Sequence, residues 1–148
     1  VMYKTHVQSF GWEKSWKKDG QSSGTFGKAK RLEAIQIQVD GGYGIGIEYR
    51  THVQRIGWQG WKHDGQLSGT SGQSKRLEAI QIRLTGNNAD LYDVYYRVHA
   101  QTYGWMGWVK NGEPAGTAGQ AKRLEAIQII IVQKWESPVY MYNASGES

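Results

Sequence analysis

The sequence repeats itself three times, and this repetition constrains the fold more than any other feature. The octet Lys-Arg-Leu-Glu-Ala-Ile-Gln-Ile occurs unchanged from Lys30, Lys75 and Lys122. Each octet is preceded by Tyr-x-x-His-x-Gln, a Gly-Trp pair with a second tryptophan, Asp/Asn-Gly and Gly-Thr-x-Gly, the first tyrosines being Tyr3, Tyr49 and Tyr96. A unit of this size cannot bury its apolar face alone, so the copies are expected to pack against one another.

The pattern within a copy predicts short β-strands. In the second copy the segment IEYRTHVQ alternates, which places one set of side chains inside and the other in solvent. The inner set is Ile47, Tyr49, Thr51 and Val53, and the outer set is Glu48, Arg50, His52 and Gln54. The closing segment RLEAIQIRL is a second strand, whose apolar phase slips between Ala79 and Ile80 and predicts a β-bulge there.

These features predict one all-β domain with pseudo-threefold symmetry. Its repeats span about 1–47, 48–94 and 95–134, and the segment SPVYMY, residues 137–142, is expected to close the ring as a strand against the first copy. Two architectures have this symmetry, the β-prism and the β-trefoil. The prism is favoured because GTSGQSKRLEAIQIRL is similar to the closing strands of jacalin-type β-prism lectins.

Composition limits the classes of function. The chain has no cysteine, which excludes disulfides and thiolate metal sites, and it has no apolar run of the roughly 20 residues that a membrane helix needs. The net charge of +5 favours anionic partners but is too small and too dispersed to require nucleic acid. Val1 does not begin a signal peptide, and we expect a soluble piece of a longer protein.

The composite motif resembles the ChW repeat, "clostridial hydrophobic with conserved Trp". The match runs from about Tyr3 to Val132 and includes Tyr-x-x-His-Val-Gln, Gly-Trp, the second Trp, Gly-Thr-x-Gly and Arg-Leu-Glu-Ala-Ile. The third copy departs from it at Ala100, and the first has one extra residue between its tryptophans. The resemblance implies a secreted or surface module of Gram-positive bacteria or their phages, which binds cell wall or glycan and is attached to a larger protein or lytic enzyme.

The paired tryptophans are the first candidates for ligand binding. An exposed indole beside polar groups suits a sugar, whose C–H face stacks on the ring, although a buried indole would simply contribute to the core. The six are Trp12, Trp16, Trp58, Trp61, Trp105 and Trp108. The residue before the following glycine is a turn former and a candidate acceptor for sugar hydroxyls, namely Asp19, Asp64 and Asn111.

The polar face of the first strand supplies the remaining candidates. These are His6, His52, His99, Gln8, Gln54 and Gln101. The histidines could hold a metal on the threefold axis, but no carboxylate or second histidine recurs beside them, so hydrogen bonding or lining a ligand groove is the preferred interpretation. The recurring arginine of the octet either reads an anion or pairs with the glutamate two positions along, as in Arg76 and Glu78, and the pairing is favoured.

No catalytic constellation or cofactor motif is visible. The glutamate recurs once per copy in equivalent surroundings, whereas a glycosidase needs two carboxylates in unlike environments. We therefore expect a non-catalytic, lectin-like module that holds cell-wall glycan or polysaccharide through several weak sites. The alternative is a protein–protein adhesion module on a bacterial surface protein; membrane and nucleic acid are not expected partners.

Overall fold

The computed structural model describes residues 1–136, so the predicted strand 137–142 lies outside the described residues. The protein is 50% strand and 4% helix, in three similar sheets that correspond to the three repeats. The expected all-β class and threefold repetition are confirmed, and three separate sheets fit a prism-like arrangement.

Each copy contributes two long strands, one at its beginning and one at its end, with three short strands between them. The first copy contains β1 (Met2–Val7), β2 (Gly11–Trp12), β3 (Lys17–Lys18), β4 (Ser23–Gly24) and β5 (Leu32–Gln38). The second contains β6 (Gly46–Val53), β7 (Gly57–Trp58), β8 (Lys62–His63), β9 (Leu67–Gly69) and β10 (Leu77–Thr85). The third contains β11 (Tyr92–Ala100), β12 (Gly104–Trp105), β13 (Val109–Lys110), β14 (Ala115–Gly116) and β15 (Leu124–Gln133). Short 3-10 turns, Gly41–Tyr43 and Ala89–Leu91, connect the copies.

Alternation along the first strand of each copy separates core from surface. In β6 the predicted inner residues are all buried, and their neighbours on the strand are partly exposed. The core formed by the three copies is a single cluster that includes the three tyrosines Tyr3, Tyr49 and Tyr96 and the six octet isoleucines, all of which are buried. Removal of this apolar surface from water is the main stabilising term for the ring.

Each sheet borrows one strand from another copy. The strand orders are β2-β1-β5-β9, β14-β10-β6-β7 and β12-β11-β15-β4, with β3, β8 and β13 paired to the first long strand of their own copy. The first copy thus receives β9 from the second, the second receives β14 from the third, and the third receives β4 from the first. The β4–β15 pairing joins the beginning of the chain to its last repeat, whereas the closing role of 137–142 stays a prediction.

A glycine makes each exchange possible. Gly24, Gly69 and Gly116 have φ of 104°, 106° and 108°, and a Cβ on them would lie 2.4–2.5 Å from a backbone oxygen of the neighbouring copy. Only a residue without a side chain permits this approach. The first glycine of Gly-Thr-x-Gly therefore marks the point where two copies join.

A β-bulge occurs in the closing strand of every copy, one residue before the predicted slip. In the second copy Leu77 pairs with Val53 and Ala79 with His52, so Glu78 is the extra residue. The same register shift lies at the ends of β1 and β11. Since a bulge re-aims the side chain that it inserts, this irregularity directs the octet glutamate towards the histidine of the facing strand.

Candidate functional site

A buried glutamate joins histidine and arginine in each copy. In the second copy Glu78 Oε1 lies 2.9 Å from His52 Nδ1, and Glu78 Oε2 accepts a hydrogen bond of 2.8 Å from Arg76 Nε. The equivalent sets are His6, Glu33, Arg31 and His99, Glu125, Arg123, with the same contacts at 2.8–2.9 Å. Burial of a carboxylate is costly unless it is paired, and here both oxygens are used. The predicted Arg–Glu pairing is confirmed.

The histidine in turn fixes the first tryptophan. The imidazole of His52 meets the indole of Trp58 edge to face, with ring centroids 5.4 Å apart. His6 with Trp12 and His99 with Trp105 repeat this geometry at the same distance. The bulge, the carboxylate and the imidazole therefore hold one indole per copy in a defined orientation.

A cation lies between the two indoles of each copy. The guanidinium carbon of Arg50 is 5.0 Å from the ring centroids of both Trp58 and Trp61. In the third copy the guanidinium carbon of Arg97 lies 4.7 and 5.0 Å from the ring centroids of Trp105 and Trp108. In the first copy the Lys4 ammonium lies 5.8 and 4.8 Å from those of Trp12 and Trp16. Sequence reasoning missed these cations, although one stands two positions before the histidine in every copy. Cation–π contact explains how indoles persist in a polar neighbourhood.

All six paired tryptophans are half-buried. None of them is enclosed in the core, and none projects freely into solvent. Each of these residues therefore keeps some exposed surface beside charged and hydrogen-bonding groups, as an indole that contacts a sugar requires.

A groove opens over the first tryptophan of the first copy. It has a volume of about 290 Å3, and its lining includes Phe10, Trp12, Lys14, Thr25 and Lys28. Phe10 stands at the tip of the turn before Gly-Trp and is 57% exposed; the equivalent Ile56 and Tyr103 are 48% and 50% exposed. This recurring apolar tip was not among the sequence candidates, although its fixed place before Gly-Trp could have indicated it.

Each copy contains one buried threonine hydroxyl without a partner, and Thr25 lines the groove over Trp12. The Oγ1 atoms of Thr25, Thr70 and Thr117 are buried and form no hydrogen bond within residues 1–136. Their backbone amides are occupied, each donating to the carbonyl of a bulged glutamate in the neighbouring copy at 2.9–3.0 Å. A buried polar group is normally hydrogen-bonded, so the recurrence of an unpartnered hydroxyl at the same position of all three copies is unusual.

The Asp/Asn-Gly turns lie away from the first tryptophans and from the groove over Trp12. They face the beginning of the first long strand, whereas Trp12, Trp58 and Trp105 pair with its end. The Asp19 carboxylate contacts the Val1 ammonium at 2.8 Å, and Asn111 Oδ1 accepts from the Val94 amide at 3.0 Å. The following glycines, Gly20, Gly65 and Gly112, donate to a strand of the neighbouring copy at 2.7 Å. The structure therefore does not bring Asp19, Asp64 and Asn111 together with the first indoles.

The glutamines of the motif bind backbone. The side-chain oxygen Oε1 of Gln54 accepts a hydrogen bond of 3.2 Å from the backbone N–H of Arg76. The backbone N–H of Gln54 donates in return to the backbone carbonyl of Arg76 at 2.9 Å. Gln8 and Gln101 repeat both contacts with Arg31 and Arg123. This reciprocal pair holds the end of the hairpin that carries the tryptophan turn.

Residues 1–136 contain no group of three or more His, Cys, Asp or Glu side chains placed to hold a metal ion. Over the same range, no helix has the length and apolar character needed to cross a membrane.

The fold and the repeated cluster define a tandem-repeat, all-β domain in which each copy carries the same Arg–Glu–His–Trp arrangement. The family model described as Clostridial hydrophobic W, ChW, matches residues 6–41, 52–86 and 99–133, and the chain belongs to this family. No curated protein and no solved structure shows significant similarity to the chain.

Proposed function

We propose that the domain is a non-catalytic, lectin-like module that binds cell-wall glycan or polysaccharide at three related grooves. As part of a larger secreted or surface protein, or of a lytic enzyme, it would anchor that protein to the wall of a Gram-positive bacterium. The observation that carries the proposal is the threefold recurrence of a half-buried indole, an exposed apolar tip and an unpartnered threonine hydroxyl at equivalent positions of the repeat.

The chemistry of this groove suits a sugar ring. The apolar C–H face of a sugar would stack on Trp12 beside Phe10, and one of its hydroxyls would bond the Thr25 hydroxyl. The volume of about 290 Å3 is at the lower end of small-molecule sites, which fits one or two sugar units.

Three shallow sites act best on a polymer. A single site of this kind is expected to bind near the millimolar range, about −4 kcal/mol. Linked sites at a similar effective concentration can raise the overall affinity by about 10² or more. Cell-wall glycan, which repeats the same unit, is the type of ligand that benefits.

The state of the carboxylates supports a binding role over catalysis. Each octet glutamate is engaged by the same histidine and arginine contacts in every copy, as at Glu33, Glu78 and Glu125. Glycosidase chemistry needs an acid and a base or nucleophile in unlike environments. Repetition of one arrangement offers no such pair.

The decisive experiment measures sedimentation of the full chain with purified bacterial cell walls. Soluble wall glycan should compete, and replacement of Trp12, Trp58 and Trp105 by alanine should abolish binding while the melting transition persists. Trp135, which is 95% exposed and outside the paired sets, supplies the matched control Trp135→Ala. Binding that soluble glycan does not reduce would contradict the proposal.

Protein adhesion is a second candidate, favoured by the exposed apolar tips Phe10, Ile56 and Tyr103. Exposed aromatic and aliphatic residues are common anchors of protein interfaces. In the same assay an adhesion module would lose binding after protease treatment of the walls and keep it in the presence of soluble glycan. Retention on DNA in place of walls would indicate nucleic-acid stacking.

A further inference from the structure

The groove over Trp12 carries two lysines that have no counterpart at the equivalent positions of the other copies. Granted the proposed function, we infer that the groove of the first copy selects an anionic saccharide, a sugar ring that bears a carboxylate or a phosphate. The equivalent positions of the second and third copies lack the two ammonium groups responsible.

Two lysines line the first groove at positions that are neutral in the other copies. Lys28 is replaced by Gln73 and Gln120 in the equivalent loops. Lys14, with Ser15, stands where the other copies have a single glycine, Gly60 or Gly107. Both lysines line the same groove as Phe10 and Trp12.

The one carboxylate of this groove does not neutralise them. Glu13 accepts hydrogen bonds from the amides of Thr5 and Gly24, at 3.2 and 3.1 Å, and from the Ser23 hydroxyl. In the second copy neutral Gln59 takes its place and accepts from the Gly69 amide at 2.8 Å. The carboxylate of Glu13 therefore stabilises the loop through these hydrogen bonds, and it points inward towards their donors.

The ammonium groups are placed to reach a ligand. Lys28 Nζ lies 5.5 Å from the centroid of the Phe10 ring, and Lys30 Nζ approaches the same ring at 5.9 Å. Within residues 1–136, no ion pair is found for Lys14 or Lys28. A sugar stacked on Trp12 would carry its anionic substituent to the rim of the groove, where both ammonium groups are solvated and unpaired. Exposed charges of this kind act at short range and are weakened by salt.

The test is an NMR titration of the full chain with three sugars that differ in charge. N-acetylglucosamine is neutral, N-acetylmuramic acid adds a carboxylate, and N-acetylglucosamine 6-phosphate adds a phosphate. The indole N–H signal of Trp12, assigned with Trp12→Phe, reports the first groove. At low ionic strength at least one anionic sugar should bind there about fivefold more tightly than the neutral one, and high salt should remove the difference. The preferred anionic sugar shows whether the groove recognises a carboxylate or a phosphate.

Matched variants separate this preference from binding itself. Lys14→Gln with Lys28→Gln should abolish the preference, so that this variant binds the anionic sugars no more tightly than N-acetylglucosamine, whereas Lys18→Gln with Lys110→Gln, exposed lysines elsewhere, should retain it. Gln73→Lys should create a preference at Trp58. Equal affinity for the three sugars, or a preference that survives the Lys14/Lys28 change, would overturn the inference and leave the proposed function standing. Failure of every sugar to bind would contradict both the inference and the proposed function.

Discussion

The Tyr49 hydroxyl accepts a hydrogen bond from the Ile37 amide, 3.1 Å away, across the boundary between the second copy and the first. The same hydroxyl donates to the Gln66 carbonyl within its own copy. Tyr96 with Ile82 and Tyr3 with Ile129 repeat the contact at 3.1 Å. One buried phenol per boundary therefore couples the fold of a copy to its neighbour.

Replacement of Tyr49 by phenylalanine should destabilise the whole domain. The change keeps the ring volume but leaves the Ile37 amide and the Gln66 carbonyl without their partner. An unsatisfied buried group costs about 1–3 kcal/mol, so urea denaturation should show a loss in this range. Tyr92→Phe, at a half-buried tyrosine outside the boundary set, is the control and should change stability by less than about 0.5 kcal/mol. Equal losses in the two variants would contradict the coupling role.

The boundary tyrosines also predict alkaline lability. Burial raises the pKa of Tyr49 and of Tyr96 to about 12, and raises the pKa of Tyr3 further still. In the unfolded chain tyrosine ionises near 10, so between pH 10 and 12 the unfolded state binds fewer protons than the folded state. The free energy of unfolding should then fall as pH rises, by up to about 1.4 kcal/mol per pH unit for each tyrosine, and should be unaffected by these groups below pH 10.

Urea denaturation of the wild type and Tyr49→Phe from pH 9 to 12 measures this dependence. Lysine deprotonation affects both proteins alike, so the difference between them isolates one phenol. The variant should lose stability less steeply with pH; parallel curves would show that Tyr49 ionises equally in the two states.

Gly69→Ala should be among the most damaging single changes in the chain. A methyl group there would meet the Glu33 carbonyl oxygen at 2.4 Å, and the backbone φ of 106° is unfavourable to any side chain. We expect a loss of about 3 kcal/mol or more in denaturation experiments, because the strand borrowed from the second copy must separate from the first. Gly60→Ala, where no atom lies within 4 Å of the new Cβ, should stay close to the wild type.

Thr70→Val should separate ligand binding from stability. The Thr70 hydroxyl is buried and has no hydrogen-bond partner within residues 1–136, so its removal should leave stability unchanged or raise it by up to about 1 kcal/mol. Wall binding by Thr25→Val, Thr70→Val and Thr117→Val combined should nevertheless fall at least tenfold in the sedimentation assay. Thr51→Val is the opposite control: its hydroxyl bonds Ser68 at 2.8 Å, so it should lower stability and spare binding.

The sequence predicted the elements well where the signal was local. Alternation in IEYRTHVQ gave the buried face of β6, and the broken apolar phase of the octet strand indicated a bulge within one residue of Glu78. The exchange of β4, β9 and β14 could not be predicted in this way. Because the copies share their pattern, a short strand such as Leu67–Gly69 matches a partner in its own copy and in a neighbour equally well.

The candidate site was predicted in part. The tryptophans and histidines were found because they recur, and the structure places the first tryptophan of each copy in contact with the histidine. Lys4, Arg50 and Arg97 were missed because a cation on the polar phase of a strand is usually a solvated surface charge. The unpartnered hydroxyl of Thr70 depends on what the neighbouring copy leaves unbonded, and no local pattern encodes that.

The borrowed strands make copy number a property of the folded unit. In a fragment of two copies, one long strand would lack the short strand that pairs with it, and one short strand would lack the long strand that it pairs with. The free short strand of one molecule could then pair with the free long strand of another. Such fragments should therefore associate head to tail. Recombination that adds or removes a single repeat would leave the same unpaired strands. We therefore expect such repeats to be gained and lost in sets of three, one whole ring at a time.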